Sequence, residues 1–170
     1  MKLLDLSAWP LWIAVALMAI AAVINARNLR VPNKLSIPAL AAGWVAAILV
    51  SSDLGIPSQG GGFFSSLVAA LIGFALLLPF YLTGWLGAGC IKMHTAFGAW
   101  IGCALPPSSA AMLMALCTLL GGGLSIFGYA VKKQSLSYQE TPDMRGRLFP
   151  AQVTLSLGAI AGIVVTYLLA

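Results

Sequence analysis

Two short polar segments of this chain contain residue types at a spacing that could support catalysis. They are Asn25-Ala26-Arg27-Asn28-Leu29-Arg30-Val31-Pro32-Asn33 and Gly87-Ala88-Gly89-Cys90-Ile91-Lys92. Glycines at positions 87 and 89 would let the backbone approach a substrate closely and turn sharply into a helix. The Gly-x-Gly-x-x-Lys pattern alone is weak, because no strand precedes it as in a P-loop or a dinucleotide-binding site. Its meaning therefore depends on the elements that position it.

A second chemical possibility lies in the pair Cys90 and His94. Residues four apart share one face of a helix, and a Cys–His pair can form a thiolate nucleophile. A single histidine near a membrane interface is more often a hydrogen-bonded packing residue, and we prefer that interpretation. The pair has no further ligands nearby for a metal ion. We therefore predict neither a metal nor a cofactor.

The composition places these segments in a membrane protein. Of 170 residues, 61% are hydrophobic and only 8% are charged, whereas a soluble domain is about a quarter charged. Several apolar runs approach the roughly 20 residues needed to cross a bilayer. The six runs are 9–26, 35–50, 63–82, 91–105, 110–131 and 150–169. We predict an all-α integral membrane protein with six transmembrane helices, forming a single polytopic domain over residues 1–170.

The basic residues are sorted among the loops, which predicts the orientation. Eight of the nine fall after the first, third and fifth runs; they are Arg27, Arg30, Lys34, Lys92, Lys132, Lys133, Arg145 and Arg147. By the positive-inside rule these loops are cytoplasmic, so both termini lie outside. This sorting places Asn25 and Cys90 together at the cytoplasmic face. Because the charges do not form one patch, the net charge of +5 does not indicate nucleic-acid binding.

With this placement, the two segments resemble the signature segments of the type IV prepilin peptidases. In that family one segment reads Gly-x-Gly-Asp-x-Lys, and the other reads Asp, six residues, then Pro-Asn. Here Asn25 and Cys90 stand at the two catalytic Asp positions. The flanking residues Pro32, Asn33, Gly87, Gly89 and Lys92 all match. The length and the six-helix map are similar to the short members that serve tight-adherence pili. A weaker match covers 149–158, where Ala151 replaces an aromatic residue.

The resemblance implies an aspartyl membrane peptidase of the bacterial inner membrane that uses no cofactor. Its substrate would be a pilin-like precursor with a positively charged leader and a long apolar helix, cut at the cytoplasmic face among membrane lipids. Two neighbouring carboxylates can cleave a peptide bond because one stays protonated and donates while the other accepts a proton from water. Glu140–Asp143 is the acidic segment that could contact the basic leader, although a solvated loop is the simpler interpretation.

The two substitutions decide what this chain can do. An amide at position 25 keeps the shape of Asp but cannot act as a base, and a thiol at position 90 replaces a carboxylic acid poorly. We favour an inactivated peptidase, because the flanking residues are intact and Asn is the smallest change. The alternative is a natural non-catalytic protein that binds prepilins. A small transporter is disfavoured, because Lys92 and His94 alone are ionisable within the apolar runs.

Overall fold

The computed structural model describes residues 6–28, 31–52, 56–84, 86–136 and 151–169. Within these residues a short 3-10 turn, Leu6–Ala8, is followed by six α-helices and there is no strand. The helices are α1 Trp9–Asn28, α2 Asn33–Ser51, α3 Phe63–Leu82, α4 Ala88–Ala104, α5 Pro107–Leu136 and α6 Ala151–Leu169. The predicted all-helical class is confirmed.

Prolines explain several helix ends. Pro32 stands immediately before α2 with φ −72° and ψ 144°, a position where its missing N–H costs nothing. Leu105 precedes Pro106 and is extended, with φ −116° and ψ 153°, because a residue before proline disfavours the helical region. Pro107 then opens α5, as proline commonly does at a first helical position.

Four helices are long and apolar enough to cross a membrane: α1, α2, α3 and the part of α5 from Pro107 to Gly128. Helix α6 is apolar over Ala151–Thr166, and α4 has 17 residues. The chain therefore has the character of a membrane protein. That all six helices cross the bilayer, with both termini outside, stays a prediction.

Helix α4 forms the centre of the fold. Thirteen of its 17 residues are buried, and it packs against α1, α2, α3 and α5. Helix α6 contacts α5 and α1 and closes the bundle on the remaining side. The other helices expose large apolar side chains, such as Val23, Ile37 and Leu71, as a surface in contact with lipid requires. The segment 87–92 is thus attached to the most enclosed helix.

Small residues let α4 approach α3 closely. A Cβ added at Gly98 would lie 2.6 Å from the carbonyl oxygen of Ala69, and one added at Gly102 would overlap with the backbone of Ser66. Close backbone approach at glycines is typical of helix packing in membranes. The α4 glycines therefore fix the distance between the two helices.

The end of the bundle that holds residues 56–62 and 104–106, here called the loop end, is joined by backbone hydrogen bonds. The Gln59 N–H donates to the Ala104 carbonyl at 2.9 Å, and the Gly62 N–H donates to the Gly102 carbonyl at 3.1 Å. The Ser65 hydroxyl donates to the Leu105 carbonyl at 2.6 Å. These bonds anchor the start of α3 on the end of α4.

Candidate active site

The two polar segments pack against each other at the opposite end of α4, here called the motif end. A Cβ added at Gly89 would overlap with the carbonyl oxygen of Val31. Lys92 Nζ donates to Asn33 Oδ1 at 3.2 Å. Pro32 lies between these contacts, exposed at the start of α2. The structure therefore brings the segment 31–33 onto the first turn of α4.

Asn25 is held by the start of α6. Asn25 is 2% exposed, and its Oδ1 accepts a hydrogen bond at 3.2 Å from the backbone N–H of Gln152. Cys90, in the first turn of α4, is also buried. Helices α1, α4 and α6, which carry Asn25, Cys90 and Gln152, contact one another.

The described part of the site contains no carboxylate. All four acidic residues of the chain lie outside the described residues, including Glu140 and Asp143, for which a contact with the substrate leader was considered. Arg27, Lys34 and Lys92 are exposed around the motif end. Asn25 and Cys90 are therefore both buried at an end of the bundle whose exposed charged side chains are basic.

Comparison with known proteins places this arrangement in a family. The model of the type IV leader peptidase family matches residues 12–129, about two thirds of the chain. The chain belongs to the type IV leader peptidase family. No curated protein and no solved structure matches it. The matched region includes both polar segments and ends before α6.

The two motif glycines differ in this leader peptidase family member. Gly87 has φ −77° and ψ 148°, an extended conformation open to any residue, and an added Cβ there would have nothing within 4 Å. The sharp turn lies earlier, at Gly84, whose φ of 77° favours glycine. Gly89 is constrained by its approach to Val31. Gly89 is therefore required by the packing of the two segments, whereas the close approach of Gly87 to a substrate stays a prediction.

His94 is engaged elsewhere in the bundle. Its Nε2 lies 2.8 Å from Thr118 Oγ1, and that hydroxyl donates its one proton to the Met114 carbonyl at 2.7 Å. Nε2 must therefore carry a proton and donate it to Thr118. Among the described residues Nδ1 has no partner. This geometry agrees with the packing interpretation, since His94 links α4 to α5 and no hydrogen bond joins it to Cys90.

No metal site accompanies the pair within the described part of the chain. There, no three His, Cys, Asp or Glu side chains come close enough to hold a metal ion. All three cysteines are free and buried.

Gln152 is the site residue that sequence reasoning did not identify. Its side chain is fully buried, and Nε2 donates to Met18 Sδ at 3.4 Å. One turn later, the Ser156 hydroxyl donates to the Met18 carbonyl at 2.8 Å. The sequence signal that could have identified Gln152 was a glutamine in the first turn of an apolar helix. Its meaning depends on Asn25 and Cys90, which the sequence separates from it by more than sixty residues.

Proposed function

We propose that this chain retains the substrate-binding site of a prepilin leader peptidase and binds prepilins without cleaving them. The observation that supports the proposal is the hydrogen bond from the Gln152 N–H to Asn25, together with the burial of Asn25 and Cys90 on helices that contact each other. These are the two positions at which the resemblance to prepilin peptidases expects catalytic aspartates. Membership in the leader peptidase family supports the same kind of site.

The missing step is proton transfer to and from water. In an aspartyl dyad an ionised carboxylate takes a proton from the attacking water, while its protonated partner donates to the carbonyl oxygen of the scissile bond. The Asn25 amide has no basic oxygen, and its Oδ1 already accepts the Gln152 N–H. The Cys90 thiol is buried in the same neutral surroundings. Neither group replaces a carboxylate in this role.

The surroundings of the pair suit a substrate that lies partly in the membrane. The exposed basic residues Arg27, Lys34 and Lys92 favour a cytoplasmic position for the motif end, in the bacterial inner membrane. A prepilin would place its leader outside the bilayer and its apolar helix among the protein helices and lipids. Cleavage in an active member would then fall at the boundary between the two.

Restoring both carboxylates tests this function. The chain with Asn25→Asp and Cys90→Asp together should cleave a prepilin with an intact leader in membrane vesicles, detected as a fall in substrate mass. Each single change should fail, because the two groups act as a unit and their effects are strongly non-additive. Binding of uncut prepilin by the unaltered chain provides the second measurement.

The alternatives predict different results. If the unaltered chain cleaves and Cys90→Ser abolishes cleavage, the thiol is the nucleophile and the proposal fails. If the double variant binds prepilin and never cuts it, the chain is a natural non-catalytic binder whose site lost more than its two aspartates. If neither form binds prepilin, the assigned substrate class is wrong.

A further inference from the structure

The backbone N–H of Gln152 lies in the first turn of α6 and donates to a side chain of another helix. Gln152 is the second residue of α6, and the first four N–H groups of a helix have no intrahelical acceptor. These N–H groups also lie at the positive end of the helix dipole. Here the Gln152 N–H is directed at a buried side chain of α1 instead of at water.

We propose that Gln152 is the third residue of this site, a positioning residue whose backbone N–H holds the side chain at position 25 against position 90. The inference rests on the proposed function, because it concerns the same site. With a carboxylate at position 25 the hydrogen bond becomes charge-assisted and shorter. Position 25 is then the base of the dyad, and position 90 is the acid that keeps the shared proton.

The Gln152 side chain supplies an independent observation. Nε2 donates a hydrogen bond to Met18 Sδ, whereas Oε1 is fully buried and has no hydrogen-bond partner among the described residues. A buried carbonyl oxygen without a donor is costly. An acceptor left free between α1 and α6, near Met18, fits a donor that arrives with the substrate, namely a peptide N–H near the scissile bond. Gln152 thus serves the site twice, through its N–H and through Oε1.

The first test needs no cleavage and uses the chain as it is. Ala151-Gln152 is the one Ala-Gln pair in the sequence, so labelling alanine carbonyls with ¹³C and glutamine nitrogens with ¹⁵N selects the Gln152 amide in an NMR spectrum. Asn25→Ala should move this signal upfield and speed its hydrogen exchange about tenfold, because one hydrogen bond is lost. Asn25→Asp should move it downfield.

Asn28→Ala is the matched control for that measurement. Asn28 lies in the last turn of α1 and is exposed, so its removal should leave the Gln152 signal in place. A Gln152 signal that does not respond to Asn25→Ala would overturn the positioning role. The result holds whether or not any variant cleaves prepilin, so a failure of the proposed function and a failure of this inference can be told apart.

The second test separates the two roles of Gln152 in the double-aspartate variant. Gln152→Pro removes the N–H together with the side chain, so its kcat is compared with that of Gln152→Met, which loses the same side-chain amide and keeps the N–H. Proline is tolerated in the first turn of a helix, where no intrahelical bond is lost. It should lower kcat about tenfold or more. Val153→Pro, also in the first turn, is the matched control and should retain kcat. Equal kcat values for the two proline variants would overturn the positioning role.

Gln152→Met keeps the N–H and removes Oε1. It should raise KM for cleavage about tenfold with kcat retained, and weaken prepilin binding by the unaltered chain to a similar extent. Unchanged prepilin binding by Gln152→Met would overturn the acceptor role of Oε1. Binding by the unaltered chain supplies this readout even if the double-aspartate variant is inactive.

Discussion

The two ends of α4 are held in different ways. At the loop end, the amides of Gln59 and Gly62 donate directly to carbonyls of α4. At the motif end, the links run through side chains: Asn25 accepts from Gln152, and Lys92 donates to Asn33. Backbone bonds survive most side-chain substitutions, whereas side-chain bonds change with the residue. The fold can therefore persist while the chemistry of the motif end is exchanged.

This difference explains how an amide and a thiol can occupy positions 25 and 90 without loss of the fold. A buried carboxylate is costly unless it is paired, and the Gln152 N–H is the donor that the structure shows at position 25. Asn25 accepts from that N–H without introducing a charge.

The largest expected effect is an all-or-none difference in labelling between the two ends. In a background with Cys90, Cys103 and Cys117 changed to Ala, single cysteines are placed at the exposed residues Ser108 and Asn28. A membrane-impermeant maleimide should label the Ser108 site in intact cells and leave the Asn28 site unlabelled, because basic loops stay in the cytoplasm. Permeabilised cells, where both sites should react, are the control. The reverse pattern would refute the orientation.

The next effect compares glycines at the two ends of α4. Gly102→Ala at the loop end should lower the free energy of unfolding in detergent by about 3 kcal/mol, since the added Cβ meets the Ser66 backbone. Gly87→Ala at the motif end should change it by less than about 1 kcal/mol, because the site is open. Similar losses for both variants would contradict the described packing.

Within the motif end, Gly89→Ala should separate two functions of the same segment. The added Cβ pushes Val31 away and should cost about 1–3 kcal/mol of stability. It should also weaken prepilin binding, because the segment 31–33 moves with Val31. Gly87→Ala, two residues earlier, is the matched control. Unimpaired binding by a folded Gly89→Ala variant would show that the contact between the two segments does not serve the substrate.

Restoring one carboxylate should destabilise the chain. Asn25→Asp places an ionisable group at a position that is 2% exposed, and we expect a loss of about 1–3 kcal/mol at neutral pH. Thermal unfolding in detergent measures it. Asn28→Asp, at an exposed position of the same helix, is the control. An increase in Tm for Asn25→Asp would mean that the site evolved to hold a charge and still can.

The smallest effect is expected at Lys92. Its hydrogen bond to Asn33 is exposed, so water competes for both groups. Lys92→Met should change the free energy of unfolding by less than about 1 kcal/mol. Asn33→Ala removes the other partner and should give the same small change. A loss well above this value for either variant would place the bond among the contacts that hold the motif end together.

The apolar pattern predicted most of the fold, and its errors have physical causes. Helix α3 occupies the predicted 63–82, since glycines precede it and a turn follows. Helix α4 begins at Ala88 and not near Ile91, so Cys90 lies inside its first turn. Helix α5 continues to Leu136, five residues past the apolar run, because polar residues such as Lys132 end a hydrophobic pattern without ending a helix.

The site was predictable only in part, because some of its groups are side chains and one is a backbone N–H. Asn25, Cys90 and the flanking motif residues could be named from the resemblance of two segments to those of the prepilin peptidases. The role of Gln152 depends on a backbone N–H, which every residue but proline carries and no residue type marks. The Gly87–Gly89 difference likewise depends on where Val31 lies. Convergence of distant backbone groups is a property of the packed bundle and leaves no local pattern.

The enclosed position of α4 has a consequence for biosynthesis. With 17 residues, including Lys92 and His94, it is a poorer candidate for independent insertion than α1, α2 or α3, which precede it. A nascent chain therefore has three helices in the bilayer before α4 leaves the ribosome. Two of its main neighbours, α2 and α3, are then already present to receive it. Helix α4, which carries position 90, should therefore insert against α2 and α3. Its insertion should fail in a chain that lacks these two helices.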